Sequence, residues 1–141
     1  MITYVDASVL LRVALGEPAA LPEWPQISRG VSSALITVEC LQTLDRLRLR
    51  RRVGDPAVAT RRATILSLID AIEIVEIDTT VLDRAAQPMP TELGTLDAIH
   101  LATALLWKEW TGAGLVMATH NVALALAARA HGLTVVGVPQ P

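Results

Sequence analysis

The sequence predicts an α/β domain in which a parallel central sheet of four to five strands is flanked by helices. Three observations carry that reading. Short apolar runs alternate with longer stretches of helical period, as in a parallel sheet covered on both faces. The 141 residues suit one domain, residues 1–141, large enough to bury a core without disulfide or metal staples. Hydrophobic residues make up 52% of the chain and charged residues 18%, with a mean hydropathy of +0.44, which excludes a disordered chain.

The elements follow in order. Ile2–Val5 is an apolar first strand. A helix is expected from Ser8 to Leu15, with Asp6 or Ser8 near its cap and Gly16-Glu17-Pro18 ending it. Ala19 to Gly30, with Pro22, Trp24 and Pro25, reads as a helix fragment plus a loop. Val31–Ser33 is a short strand. Leu35, Val38, Leu41, Leu44 and Leu47 then recur at helical spacing, predicting a helix from Ala34 to Arg52 that Gly54 stops. Asp55-Pro56 opens the next helix, with Pro at the first helical position. Ile72–Ile77 reads as a strand, and Asp78-Thr79-Thr80 caps a short helix ending near Ala86. After a loop from Gln87 to Gly94, Thr95 caps a helix running to Trp110. Leu115–Ala118 is a strand, Val122–His131 a helix closed by Gly132, and Thr134–Val138 the last strand.

Composition removes several functions. A lone cysteine, Cys40, rules out an internal disulfide and a cysteine-based zinc site. A net charge of −2 excludes a molecule that is basic overall, so any nucleic-acid contact must be local. No apolar run is long enough to cross a bilayer. Met1-Ile2-Thr3-Tyr4-Val5 lacks the basic start and apolar core of a signal peptide, so a cytoplasmic location is expected. Neither glycine-rich phosphate-binding pattern occurs, which disfavours nucleoside-triphosphate and dinucleotide chemistry.

Ligands of such sheets bind outside the C-terminal strand ends. Asp6 follows the first strand directly, Asn121 follows the strand ending at Ala118, Asp97 lies in a first helical turn, and Glu39 lies early in the long helix between apolar neighbours. Each has a bland reading: Asp6 as a helix cap, Asp97 as an acid favoured by the helix dipole. Together they are expected to form an acid cluster, because such a fold would bring Asp6, Glu39 and Asp97 to one edge of the sheet. Clustered carboxylates repel, and a divalent cation removes that conflict. Mg2+ prefers oxygen ligands and can activate water at a phosphoryl group, so the cluster points to metal-dependent phosphodiester cleavage.

Four segments carry a family resemblance: Tyr4-Val5-Asp6-Ala7-Ser8; Ser33-Ala34-Leu35 leading to Glu39; Leu96 to Ala104 with Asp97 at its start; and Met117-Ala118-Thr119-His120-Asn121. In this order and at these intervals the chain resembles a PIN domain, most of all the VapC-type toxins of toxin–antitoxin pairs. The resemblance covers essentially the whole length. It implies an endoribonuclease dependent on Mg2+ or Mn2+, with Asp6, Glu39 and Asp97 as the metal-binding acids and Ser8 and Thr119 as supporting hydroxyls. It also implies a VapB-type antitoxin partner and a homodimer. One departure stands out: Thr119-His120-Asn121 places Asn where the family usually has a fourth acid. The amide is expected to keep a neutral oxygen ligand while losing its charge. That departure leaves open a second reading, a weakened or inactive PIN-like module that binds RNA or protein. A metal-dependent phosphoesterase acting on DNA or small substrates is a third.

Arg46, Arg48, Arg50, Arg51 and Arg52 form the main basic concentration. They read equally as an RNA-backbone contact strip or as a solvated helix end. His100 shares a helical face with Asp97, which leaves a metal role open, but a half-buried, hydrogen-bonded histidine is the expected reading. His131 is expected to cap a helix with its side chain, Cys40 to be a buried inert thiol, and Trp107 and Trp110 to serve core or interface.

Overall fold

Five strands, β1 (Ile2–Val5), β2 (Arg29–Ser33), β3 (Glu73–Val75), β4 (Val116–Ala118) and β5 (Thr134–Val136), form one sheet in the computed structural model, which describes residues 1–141. Their order is β3-β2-β1-β4-β5, and every pairing is parallel. The expected α/β architecture is therefore present. The connections are helical: α1 (Ala7–Ala14), α2 (Leu35–Arg51), α3 (Asp55–Asp70), α4 (Thr79–Ala85), α5 (Thr95–Thr111) and α6 (Val122–Ala130), with a 3-10 turn at Trp24–Gln26.

Successive strand residues face opposite sides, so the sheet builds two cores. Tyr4 and Met117 pack with Leu101, Trp107 and Leu124 under α5 and α6. Val5 and Ala118 pack with Val9, Leu10, Ile36 and Ile65 under α1, α2 and α3. A smaller cluster of Val81, Ile99 and Leu106 fastens α4 to α5. From β1 the chain steps outward to β2 and β3, then returns to the far side of β1 for β4 and β5. That reversal splays the connections leaving β1 and β4 and opens a crevice at their C-terminal ends.

Several boundaries differ from the sequence reading. β2 begins at Arg29 because the backbone of β1 supplies partners from Ile2 onward. β3 covers only Glu73–Val75, and β5 stops at Val136. α2 ends when Arg52 turns left-handed, at φ 50°, while Gly54 serves as the N-cap of α3 rather than as the stop. Gly94, not Thr95, is the N-cap of α5. Asp78 does cap α4, accepting from the Val81 N–H at 3.0 Å. His131 occupies the C-cap position of α6, but its Nε2 is buried without a partner, so the side chain itself caps nothing. Gly137 has φ +100°, and a Cβ there would stand 2.2 Å from the Thr119 carbonyl oxygen. Only glycine lets the chain pass so close to Thr119.

Candidate active site

Asp6 enters the crevice because β1 ends on it: its N–H bonds to the Ala118 carbonyl at 3.0 Å, and its own carbonyl starts α1. Asp6 occupies the N-cap position of α1, yet its side chain makes no cap hydrogen bond. The carboxylate instead turns inward, almost fully buried. Its Oδ2 accepts from Ser8 Oγ at 2.6 Å and Thr119 Oγ1 at 2.8 Å. Both hydroxyls are themselves fixed, Ser8 Oγ accepting from the His120 N–H and Thr119 Oγ1 from the Asn121 N–H, each at 3.0 Å. Oδ1 of Asp6 has no hydrogen-bond partner and lies 3.8 Å from His100 Nε2.

Asp97 sits in the first turn of α5 and accepts from Asn121 Nδ2 at 2.9 Å through Oδ2. Burial raises its pKa above the ordinary aspartate range, and the negative charge of Asp6 raises it further against the pull of the Asn121 bond. Glu39 lies half-buried on α2 and binds His100 Nε2 through Oε1 at 2.5 Å. A pattern links the acids. Each carboxylate has one oxygen held by protein donors and one left without a protein partner.

All four expected site residues, Asp6, Glu39, Asp97 and Asn121, line one cleft of about 430 Å³, together with Ser8 and Arg46. The cleft also includes Gln42 and Thr43, which with Glu39 and Arg46 follow one face of α2. No three acid, histidine or cysteine side chains stand close enough to form a preassembled ligand set. A larger cavity of about 940 Å³ runs along β5 and contains none of the acids.

Asn121 does not present its oxygen to the cleft. Oδ1 accepts from the Ala123 and Leu124 N–H groups as the N-cap of α6, which leaves the amide nitrogen for Asp97. The expected amide-oxygen ligand is thus replaced by a donor that pins Asp97. The arginines divide as well. Arg46 reaches the cleft rim, Arg48 is paired with Asp45 at 2.8 Å, and Arg50, Arg51 and Arg52 are exposed beyond it.

Two residues outside the expected site set stand behind it. His100 is fully buried rather than half-buried, and Tyr4 Oη lies 2.6 Å from its Nδ1. Burial opposes the His100 charge, but the bond to Glu39 and the fields of Asp6, Glu39 and Asp97 outweigh it and raise the pKa. Burial likewise raises the Tyr4 pKa. The spacing of Asp97 and His100 hinted at a shared face; Tyr4 opens the first family segment, but nothing in the sequence tied it to His100. Cys40 is buried, its thiol pushed up to about 12 by burial and by Glu39 and Asp6, so it is inert as expected. Trp107 is core, whereas Trp110 is exposed.

Sheet order and cleft define an α/β protein whose acids gather at the topological switch point. The chain belongs to the PIN domain family: the PIN domain model matches residues 3–109. It is 36% identical over 105 residues to Ribonuclease VapC46 of Mycobacterium tuberculosis, covering 72% of each chain. It is 33% identical over 110 residues to Ribonuclease VapC47 of the same species, covering 75% of this chain and 76% of that one. Among solved structures, that of PAE2754 from Pyrobaculum aerophilum superposes with a TM-score of 0.63 at 20% identity, covering 96% of this chain and 90% of the other.

Proposed function

We propose that this protein is the endoribonuclease toxin of a type II toxin–antitoxin pair, cleaving RNA phosphodiester bonds with Mg2+ or Mn2+. One observation carries the reading: Asp6, Glu39 and Asp97, far apart in sequence, line a single cleft, each with a carboxylate oxygen left free. The donor set suits the ion, because carboxylate oxygens without thiolates favour Mg2+ or Mn2+ over zinc. Mg2+ often keeps several waters and few protein ligands, so a preassembled triad is not required. When bound, the cation supplies charge neutralisation and water activation for phosphodiester hydrolysis.

The chain's own residues do the rest. Asp6, Glu39 and Asp97 would hold the ion through their free oxygens. Ser8 and Thr119 keep Asp6 turned inward, and Asn121 orients Asp97. Arg46, on the rim, supplies a cation for a phosphate of the RNA. Both curated relatives are named ribonucleases, and three carboxylates remain in the cleft, which favours an enzyme over a non-catalytic module.

The same reading gives the protein a VapB-type antitoxin as partner and RNA as substrate, and places it in the cytoplasm with that substrate. No helix is long and apolar enough to cross a membrane. A homodimer completes the proposal: Val122 and Leu126, four residues apart on α6, are exposed apolar side chains suited to a subunit contact. The deciding experiment is Mg2+-dependent cleavage of RNA by the native chain and by Asp6→Asn. Cleavage is expected to vanish in the variant; equal cleavage by both would sink the reading.

A further inference from the structure

Behind the acid cleft, His100 joins residues from β1 and α2 although it is fully buried on α5. We infer that His100 and Tyr4 are positioning residues that hold Glu39 as a metal ligand, an inference that rests on the metal-dependent reading of this cleft.

The hydrogen bonds have a direction. The Ser33 N–H can only donate, and Tyr4 Oη accepts from it at 3.1 Å. Tyr4 Oη also lies 2.6 Å from His100 Nδ1, donating to it when the ring is neutral and accepting from it when the ring is charged. In either state of the ring Nε2 carries a proton, which it donates to Glu39 Oε1 at 2.5 Å. The opposite tautomer would set a bare nitrogen against a carboxylate oxygen. A chain of hydrogen bonds therefore runs from the backbone of β2 to the carboxylate, and Oε2 of Glu39 has no protein partner.

Glu39 needs this support more than the other acids do. Asp6 and Asp97 have short side chains that leave strand and helix ends. Glu39 has a longer, more mobile side chain on the body of α2 and is 22% exposed. The hydrogen-bond chain of His100 ends on a residue of the cleft wall rather than within the core. Partners that orient ligating carboxylates change metal affinity when removed.

The test is calorimetric titration of Mn2+ into the native full chain and into His100→Ala, Tyr4→Phe, Glu39→Gln and the His100→Ala/Glu39→Gln double variant. His100→Ala is expected to bind about 10- to 100-fold more weakly, and Tyr4→Phe more weakly by a smaller factor. The double variant is expected to bind no more weakly than Glu39→Gln alone, because the histidine acts through that carboxylate. If His100→Ala does not fold, Tyr4→Phe takes its place in the cycle. Native Mn2+ affinity in folded variants overturns this inference alone, as does a histidine effect that persists in full without the Glu39 carboxylate. No Mn2+ uptake by the native chain overturns the metal reading, and this inference with it.

Discussion

Asn121 meets Asp97 with its nitrogen: Nδ2 lies 2.9 Å from Asp97 Oδ2, while Oδ1 accepts from the first N–H groups of α6. The amide thus joins a helix cap to a carboxylate whose pKa is raised by burial and by Asp6. Asn121→Asp keeps the cap, since Asp serves as well there as Asn. It replaces the donor facing Asp97 with a second negative charge. The metal-free variant should unfold a few degrees lower, having lost a charge-assisted hydrogen bond of about 1.5–3 kcal/mol, partly offset by the helix dipole. Mg2+ should bind it more tightly and raise its unfolding temperature more than that of the native protein. Thermal unfolding with and without Mg2+ checks both; a variant that gains nothing from Mg2+ contradicts the argument.

Thr119 is buried, and its hydroxyl has two duties, donating to Asp6 and accepting from the Asn121 N–H. Thr119→Val keeps the shape and removes both bonds. It should cost about 1–3 kcal/mol, the penalty for an unsatisfied buried group, and lower Mg2+-dependent cleavage. Ser8→Ala, at a half-buried position, should cost less stability. Urea unfolding and cleavage assays on both variants test this. Equal, small losses would mean that the hydroxyls do not hold Asp6.

Arg46 and Arg48 stand near one another in sequence and on different sides of α2. Arg46 follows the face of Glu39, seven residues on, and reaches the cleft. Arg48 is roughly 180° from Glu39 around the helix at about 100° per residue, and is tied to Asp45. Arg46→Gln should weaken single-stranded RNA binding and reduce its salt dependence by about 0.7 in log–log slope. Arg48→Gln should change neither. Binding titrations over a salt series, in the Asp6→Asn background to prevent cleavage, separate the two. Equal losses would restore the whole arginine cluster as a contact strip.

How far the sequence could be read depended on whether the deciding interactions were local. Short apolar runs between helical stretches announced β1, β4 and the two covered faces, and strand ends located Asp6 and Asn121. Gly94 replaced Thr95 as a cap, and Arg52 ended α2 ahead of Gly54, because backbone conformation prevailed over side-chain preference. The orientation of Asn121 was out of reach, since it depends on which atoms of α6 claim the amide oxygen. Tyr4 and His100 are 96 positions apart, and only the packing of α5 on the sheet joins them. An acid cluster can be anticipated from residue type and topology. The donors behind each acid are matters of tertiary packing.

Away from the cleft, Glu73 joins two strands and a helix: Arg29 binds its Oε2 at 2.6 Å, and the Trp107 indole N–H donates to Oε1 at 3.1 Å. Arg29 also lies 5.1 Å from the centre of the Trp107 ring. The Arg29 hydrogen bond, followed by that of Trp107, lowers the Glu73 pKa below the usual glutamate value. A depressed pKa in the folded state means that the native protein binds this proton less readily than the unfolded chain does. The resulting stability is complete above the ordinary glutamate pKa and disappears as pH falls through the lower, folded value. Exposure screens the pair, so Glu73→Gln should cost only about 0.5–1 kcal/mol at neutral pH. That difference should stay constant through mildly acidic conditions and close only below the ordinary glutamate range. Chemical unfolding of native and variant protein across the acid range measures it. A gap that widened on acidification would reverse the sign and rule out this account of how β2, β3 and α5 are tied.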